Sequence, residues 1–298
     1  MASQDSRRSV GGLLAAARAY LRECGSESPG LDAEVLLAHC LGAGRLDLYR
    51  APDRIPDSGQ ASGYLDLIAR RGRGEPVAYL TGHKEFMGLD LAVGPPVLIP
   101  RPETELLVEQ ALELLGLSLA ERPGGRLAVD VGAGSGAIAV SLAVFMPRVR
   151  VLATDISGEA LAVARRNAAR HGVARQVSFF QGDLLTPLTI PALQGQVDLV
   201  AANLPYIPAG DLEALPRDVR AYEPRLALNG GPDGLSLYRR LVPDAGRLLR
   251  PGGFLLMEIG PGQGRACLGL VPAPVWESVL LPDLAGRERL VVAVKMSQ

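Results

Sequence analysis

The sequence predicts an α/β chain, with a small N-terminal helical bundle, a linking β-hairpin, and then an open sheet flanked by helices. Three observations lead there. Apolar residues recur at helical spacing, with no strand alternation before Phe86. From Leu127 onward, short apolar runs alternate with helical patterns, as in βαβ units. One of those runs, Leu127-Ala-Val-Asp-Val, leads into the turn Gly132-Ala133-Gly134-Ser135-Gly136 and then into a helix of small and apolar residues.

The elements follow in order. Leu13, Leu14, Ala17 and Leu21 share one helix face. Asp32 can begin a second helix carrying Val35, Leu36, His39 and Cys40, and Tyr64, Leu65 and Ile68 repeat the pattern. Arg70, Arg71 and Arg73 read as a solvated helix end, where positive charge suits the exposed carbonyls, or else as a contact for an acidic partner or RNA. Segments 86–93 and 97–99, divided by Gly94-Pro-Pro, suggest the hairpin, so the domains are expected at 1–84 and 85–298. Pro102 suits a first helical turn, and Glu103 and Glu105 complement its positive end. Strands follow at 127–131, at 151–154 before Asp155, at 177–180 before Gln-Gly-Asp183, and at 197–202, where Pro205 and Pro208 forbid continuation. The irregular stretch from Tyr206 to Gly234 reads as an inserted loop. A helix over 235–249, a turn at Pro251-Gly-Gly and a strand over 254–259 complete the pattern.

Composition narrows the partners. The chain has 298 residues, 48% of them hydrophobic, enough for sizeable cores. Lys plus Arg number 31 against 32 Asp plus Glu, a net charge of −1. Neutralising several phosphates normally shows as a basic excess, so no direct nucleic-acid substrate is expected. No run approaches the ~20 apolar residues of a membrane span, and Met1 to Arg8 lead into an amphipathic pattern without a signal-peptide core. A cytoplasmic location without a membrane partner is the expectation. Cys24, Cys40 and Cys267 are isolated and read as packing residues, and His39, His83 and His171 are scattered, so neither disulfides nor a metal site are expected.

Two stretches carry chemistry. Asn203-Leu204-Pro205-Tyr206 puts a carboxamide, a stiff backbone carbonyl and an aromatic face just past a strand's carboxyl end, where open α/β sheets bind ligands. Ordinary turn chemistry also accounts for Asn and Pro there. The glycine turn lets backbone approach a ligand closely, and Asp155, about 20 residues on, is placed to accept hydrogen bonds from two ribose hydroxyls. Gly132, Gly134 and Ala137 also satisfy a dinucleotide fingerprint. Asp130 and Gly136 fit instead a cofactor without a pyrophosphate, such as S-adenosylmethionine, with its methionine arm over the turn. Asp183, followed by Leu184, is placed to receive an adenine amino group, although Asp130 and Asp183 could equally cap neighbouring helices.

Segments 130–136, Asp155, Gly182-Asp183 and 203–206 resemble the successive motifs of Rossmann-like class I methyltransferases that alkylate exocyclic or amide nitrogen. Glu75-Pro-Val-Ala-Tyr-Leu-Thr-Gly, Glu85-Phe-Met-Gly-Leu, Val97-Leu-Ile-Pro-Arg-Pro-Glu-Thr-Glu, Tyr222-Glu-Pro-Arg-Leu-Ala-Leu and Gly230-Gly-Pro-Asp-Gly-Leu are similar to the hallmarks of HemK-type release factor glutamine methyltransferases. The resemblance runs from about Leu13 to the end. It implies methyl transfer from S-adenosylmethionine to the amide N5 of the Gln in the Gly-Gly-Gln loop of peptide chain release factors, with the helical domain helping to dock them. It further implies that Asn203 and the Leu204 carbonyl each accept one amide N–H, that Tyr206 packs against the amide plane, and that Arg101 and Glu103 help shape the site. One departure is Leu204, where the family usually has Pro. Asn-Leu-Pro-Tyr resembles the ribosomal RNA adenine dimethyltransferases, which keeps adenine-N6 methylation of RNA or DNA as the alternative and predicts a less rigid loop.

Overall fold

The computed structural model describes residues 9–119 and 125–297, so the Met1 to Arg8 segment lies outside the described residues. Two compact units emerge. Among the described residues, one gathers those up to His83 together with Pro216–Tyr222, and the other holds those from Lys84 to Leu215 and from Glu223 onward.

The first unit is helical. α1 (Val10–Glu23) starts at Ser9, whose hydroxyl accepts from the Gly12 N–H at 3.3 Å, and the four apolar residues read from its sequence are all buried. α2 (Pro29–Leu41), α3 (Arg45–Arg50), α4 (Ser58–Gly72) and α5 (Val77–Thr81) complete it around Leu21, Leu36, Leu37, Tyr64 and Leu80. Asp32 takes three donors, Ser26 and Ser28 hydroxyls at 2.8 and 3.1 Å and Arg71 Nε at 2.7 Å. The arginine cluster does form the end of α4, with Arg70 and Arg71 in its last turn and Arg73 exposed at its cap, but it is not wholly solvated. Arg71 closes a buried ion pair across the bundle, and Arg70 pairs with Glu75.

In the second unit, β1 (His83–Phe86) and β2 (Leu89–Ala92) form a hairpin, but earlier than expected, with its turn inside the segment 86–93 read as one strand and not at Gly94-Pro-Pro. Its two-residue turn is Met87-Gly88, with φ of 52° and 72°, the left-handed values that let a tight turn follow the strand twist. Residues 97–99 are not a strand; the Ile99 N–H goes instead to Glu223 Oε2 at 3.2 Å. α6 (Glu103–Leu119) then leads to the main sheet. Its strands β3 (Arg126–Val131), β4 (Val149–Asp155), β5 (Val177–Gln181), β6 (Val197–Ala202), β7 (Leu249–Glu258), β8 (Trp276–Pro282) and β9 (Glu288–Lys295) lie in the order β5-β4-β3-β6-β7-β9-β8. The first five are parallel, and β9 runs antiparallel to β7 and β8.

Every residue of β6 is buried, as a central strand covered on both faces requires. One face packs α6, α7 (Ala137–Phe145) and α8 (Gly158–Arg170) through Leu107, Leu115, Leu142 and Leu161. The other packs α10 (Ser236–Leu248) through Tyr238, Leu241 and Leu248. Chain order reverses between β3 and β6, and this switch point opens the crevice in which such sheets hold ligands.

Two expectations change in the last third. Pro251-Gly-Gly is not a turn before the strand but a bulge inside β7, whose partners on β6 jump from Val197–Leu249 to Leu199–Phe254. The insertion 207–234, read as a loop, has structure of its own: Ile207 and Ala209 donate to the Leu228 and Gly231 carbonyls, and it contains the short helix α9 (Arg217–Tyr222), which belongs to the first unit, where the Tyr222 hydroxyl donates to the Arg73 carbonyl. α11 (Gly264–Leu268) precedes the final strands. Cys267 is buried, as a packing residue is, whereas Cys24 is exposed, unlike the role expected for it. Among the described residues, no helix is long and apolar enough to cross a membrane.

Candidate active site

A cavity of about 500 Å³ lies over the carboxyl ends of β3, β4 and β6. Its floor is the glycine turn. Gly132 and Gly134 adopt φ of 77° and 54°, and a Cβ on Gly132 would meet Leu204 Cδ2 at 3.0 Å, so the turn and the Asn203 loop are in contact through the absence of a side chain. Gly136, at φ 81°, does not line the cavity. A Cβ there would strike Ala164 at 3.0 Å, so this glycine serves the packing of α7 on α8.

Asp155 lies at the cavity edge. Its Oδ2 accepts from Gly134 N–H and its Oδ1 from Ser157 N–H, each at 2.8 Å. Each oxygen keeps a further lone pair, which suits a pair of ribose hydroxyls. Burial raises its pKa, and the three backbone donors around it oppose that shift. Asp183 and Leu184 line the same wall. Asp183 is paired with Arg240, so any amino group reaching it shares the carboxylate with a guanidinium. Leu184 has φ 48°, a strained conformation for a γ-branched residue and of the kind that gathers at ligand sites.

Asp130 differs from expectation. It is fully buried, lies outside the cavity lining, and accepts from the Ala139 N–H at 3.1 Å, so it caps the start of α7 beneath the turn. Its Oδ1 has no hydrogen-bond partner, and burial pushes its pKa up to about 7. With the paired Asp155 oxygens and the two glycines that lack a Cβ, the residues present fit S-adenosylmethionine.

On the opposite side, Asn203 Nδ2 donates to Thr104 Oγ1 at 3.0 Å, leaving Oδ1 to the cavity. The Leu204 N–H donates to the Tyr238 hydroxyl at 3.1 Å, and that hydroxyl donates onward to the Glu258 carbonyl. Leu204 itself is buried. A proline could not make this bond, so the leucine gives the loop a backbone tether to Tyr238 that a second ring would lack. Pro205 lines the cavity; Tyr206 does not. Its ring packs into the core on the α10 side, burial pushes its hydroxyl up to about 12, and its carbonyl accepts from Gln263 Nε2 at 2.8 Å. Arg101 faces the cavity while Glu103 does not; Thr104, one residue further round the helix, takes its place. Arg101 is paired with the buried Glu223, whose other oxygen holds the Ile99 N–H, so the segment 99–101 is strapped to the loop at 223.

Thr104, Tyr238, Glu223, Glu258 and Gln263 escaped sequence reasoning as site residues. Only Glu223 and Thr104 stood in stretches already singled out. Gly234 is a second hidden support. At its φ of 80°, a Cβ there would collide with the Tyr206 carbonyl oxygen and with Gln263 Nε2. Gly234→Ala is expected to lower stability by about 2–3 kcal/mol and to displace residues 203–206. Thermal unfolding measures the first effect, and transfer at saturating cofactor the second; an unchanged Tm would show that the loop gives way freely.

Buried carboxyls also set a pH dependence. Asp130 and Glu258 are both pushed up to about 7, mainly by burial. A folded-state pKa above the unfolded one contributes stability that is fully present below the ordinary carboxyl range and is lost as pH rises through about 7. Unfolding free energy is therefore expected to fall by a few kcal/mol between about pH 4.5 and 7.5. Denaturant titrations across that range check it, and a flat profile would contradict it.

Comparison with known proteins adds identity of sequence. A family of PrmC N-terminal domains matches residues 12–82, and a methyltransferase domain family matches 128–223. Among curated relatives, a release factor glutamine methyltransferase of Moorella thermoacetica is 47% identical, covering 92% of this chain and 94% of that protein. One of Nitratidesulfovibrio vulgaris is 44% identical, covering 98% and 97%. Among solved structures, the hMettl16 catalytic domain in complex with MAT2A 3'UTR hairpin 6 superposes with a TM-score of 0.53 at 16% identity, covering 82% of this chain and 85% of that one. That likeness is one of fold.

Proposed function

The chain belongs to the family of release factor glutamine methyltransferases, and on that premise we propose that it methylates the side-chain N5 of the glutamine in the Gly-Gly-Gln loop of peptide chain release factors, in the cytoplasm and without a nucleic-acid substrate. It is an S-adenosylmethionine-dependent enzyme. The observation that supports the reading best is Asn203, whose Nδ2 is held by Thr104 so that Oδ1 is presented to the cavity beside the Leu204 backbone.

When bound, S-adenosylmethionine supplies an electrophilic methyl group on a sulfonium. The residues of this chain hold and orient the nucleophile. An amide nitrogen is weakly nucleophilic because its lone pair is delocalised into the carbonyl. Asn203 Oδ1 and the Leu204 carbonyl each accept one N–H of the substrate amide, which directs the nitrogen lone pair along one line and favours a pyramidal nitrogen. Tyr238 and Gln263 hold this loop from behind, through the Leu204 N–H and the Tyr206 carbonyl. Tyr206 acts as a support packed into the core, not as a face for the amide. The alkylated amide nitrogen is acidic enough to lose its proton to water, so no dedicated base is required. Arg101, fixed by Glu223, forms the rim across which the Gly-Gly-Gln loop enters.

Incubation with labelled S-adenosylmethionine and either a release factor or RNA tests the proposal. Label on the release factor, absent when its Gly-Gly-Gln glutamine is replaced, is the expected result. Salt-sensitive label on RNA alone would transfer the assignment to adenine-N6 methylation.

A further inference from the structure

Glu258 ends β7 and is 1% exposed. The parallel pairing of Ala202 with Met257 sets it beside Asn203 at the carboxyl edge of the sheet. No hydrogen bond reaches either of its carboxyl oxygens, and the hydroxyls of Thr104 and Tyr206 are the neighbouring donors that favour its charged form. Thr104, 4% exposed at the start of α6, is also the group that receives Asn203 Nδ2 at 3.0 Å.

Direction is the point of this arrangement. A carboxamide can turn by 180° and offer either N–H or C=O to the cavity, and a threonine hydroxyl satisfies both, since it donates once and accepts twice. An ionised carboxylate only accepts. With Glu258 behind it, the single proton of Thr104 is drawn towards the carboxylate, its oxygen lone pairs face Asn203, and only Nδ2 can bond there. Resting on the function proposed above, we propose that Glu258 is a positioning residue which, through Thr104, fixes the Asn203 carboxamide with Oδ1 towards the substrate amide. A protonated Glu258 can donate to Thr104 instead, which frees the hydroxyl to donate to Asn203 Oδ1 and turns the carboxamide the wrong way.

The charged and titratable groups around Glu258 are Glu103 on α6, Tyr206 in the loop after β6, Tyr238 on α10 and Arg289 on β9. Arg289 favours the carboxylate and Glu103 opposes it, while burial is the largest influence and raises the pKa to about 7. Oriented Asn203 is therefore expected to become more populated as pH rises through about 7.

Glu258→Gln in the full-length protein is expected to lower kcat at pH 8 by about tenfold, the effect of one misdirected hydrogen bond, with cofactor affinity within about twofold. It should also abolish an acid limb of the kcat profile centred near pH 7. Thr104→Val should show the same loss, and Thr104→Ser should restore most of it. The Asn203 side-chain NH2 signal, followed by 15N NMR, should shift with pH through about 7 in the unmodified protein and not in Glu258→Gln. Unchanged kcat and pH profile in Glu258→Gln, or full activity in Thr104→Val, would overturn the inference; should Glu258→Gln fail to fold, the Thr104 pair still decides. If the unmodified enzyme labels no release factor, the substrate reading fails, while the NMR signal still passes or sinks the orienting role.

Discussion

Asn203→Ala is expected to lower methyl transfer by a factor of about 10² to 10³ while leaving S-adenosylmethionine affinity within a few-fold. The magnitude is that of deleting one preorganised polar group whose partner develops charge in the transition state. Asn203 Nδ2 is already committed to Thr104, so the cofactor loses little, whereas the substrate amide loses one of its two acceptors. Without Oδ1, one N–H of that amide is desolvated without a partner, and the nitrogen is free to rotate away from the line of attack. Single-turnover transfer at saturating cofactor measures the first effect and calorimetry the second. Transfer within tenfold of normal would remove Asn203 from its proposed role.

The opposite split is expected of Asp155→Ala, where cofactor affinity falls by two orders of magnitude or more and kcat at saturating cofactor falls much less. Two charge-assisted hydrogen bonds at about 1.5–3 kcal/mol each set that scale. The carboxylate also receives the N–H of Gly134 and of Ser157. Its removal therefore leaves two donors open and loosens the turn that forms the cavity floor, which adds to the loss of the ribose contacts. Cofactor titration by calorimetry or fluorescence decides the matter, and an affinity within threefold of normal would leave the ribose hydroxyls to some other group.

These two positions were legible because the physics that places them is local. Glycines at 132 and 134 accept left-handed φ where other residues strain, prolines at 205 and 208 stop β6, and an acidic residue after the next strand falls at the same sheet edge. The departure at Leu204 was equally visible, but the partner of its backbone N–H was not, since that group meets the Tyr238 hydroxyl only after α10 packs on the sheet. Direction of facing was also hidden. Asp130, Gly136, Glu103 and Tyr206 stand next to cavity residues in the chain yet turn into caps, helix contacts or core.

Sequence alone determined the succession of β3 to β7, the glycine turn, and the strand ends carrying Asp155 and Asn203, because periodicity, glycine and proline act over a few residues; the closing strands β8 and β9 were not read from it. Tertiary structure decided which hydroxyl meets the Asn203 carboxamide, which carboxyl stands behind it, and which strap holds Arg101. Thr104 and Asn203 are 99 residues apart, and Arg101 and Glu223 are 122 apart. Such partners meet only when parallel crossovers bring successive strand ends to one edge, and no local pattern records where a helix will lay its first turn.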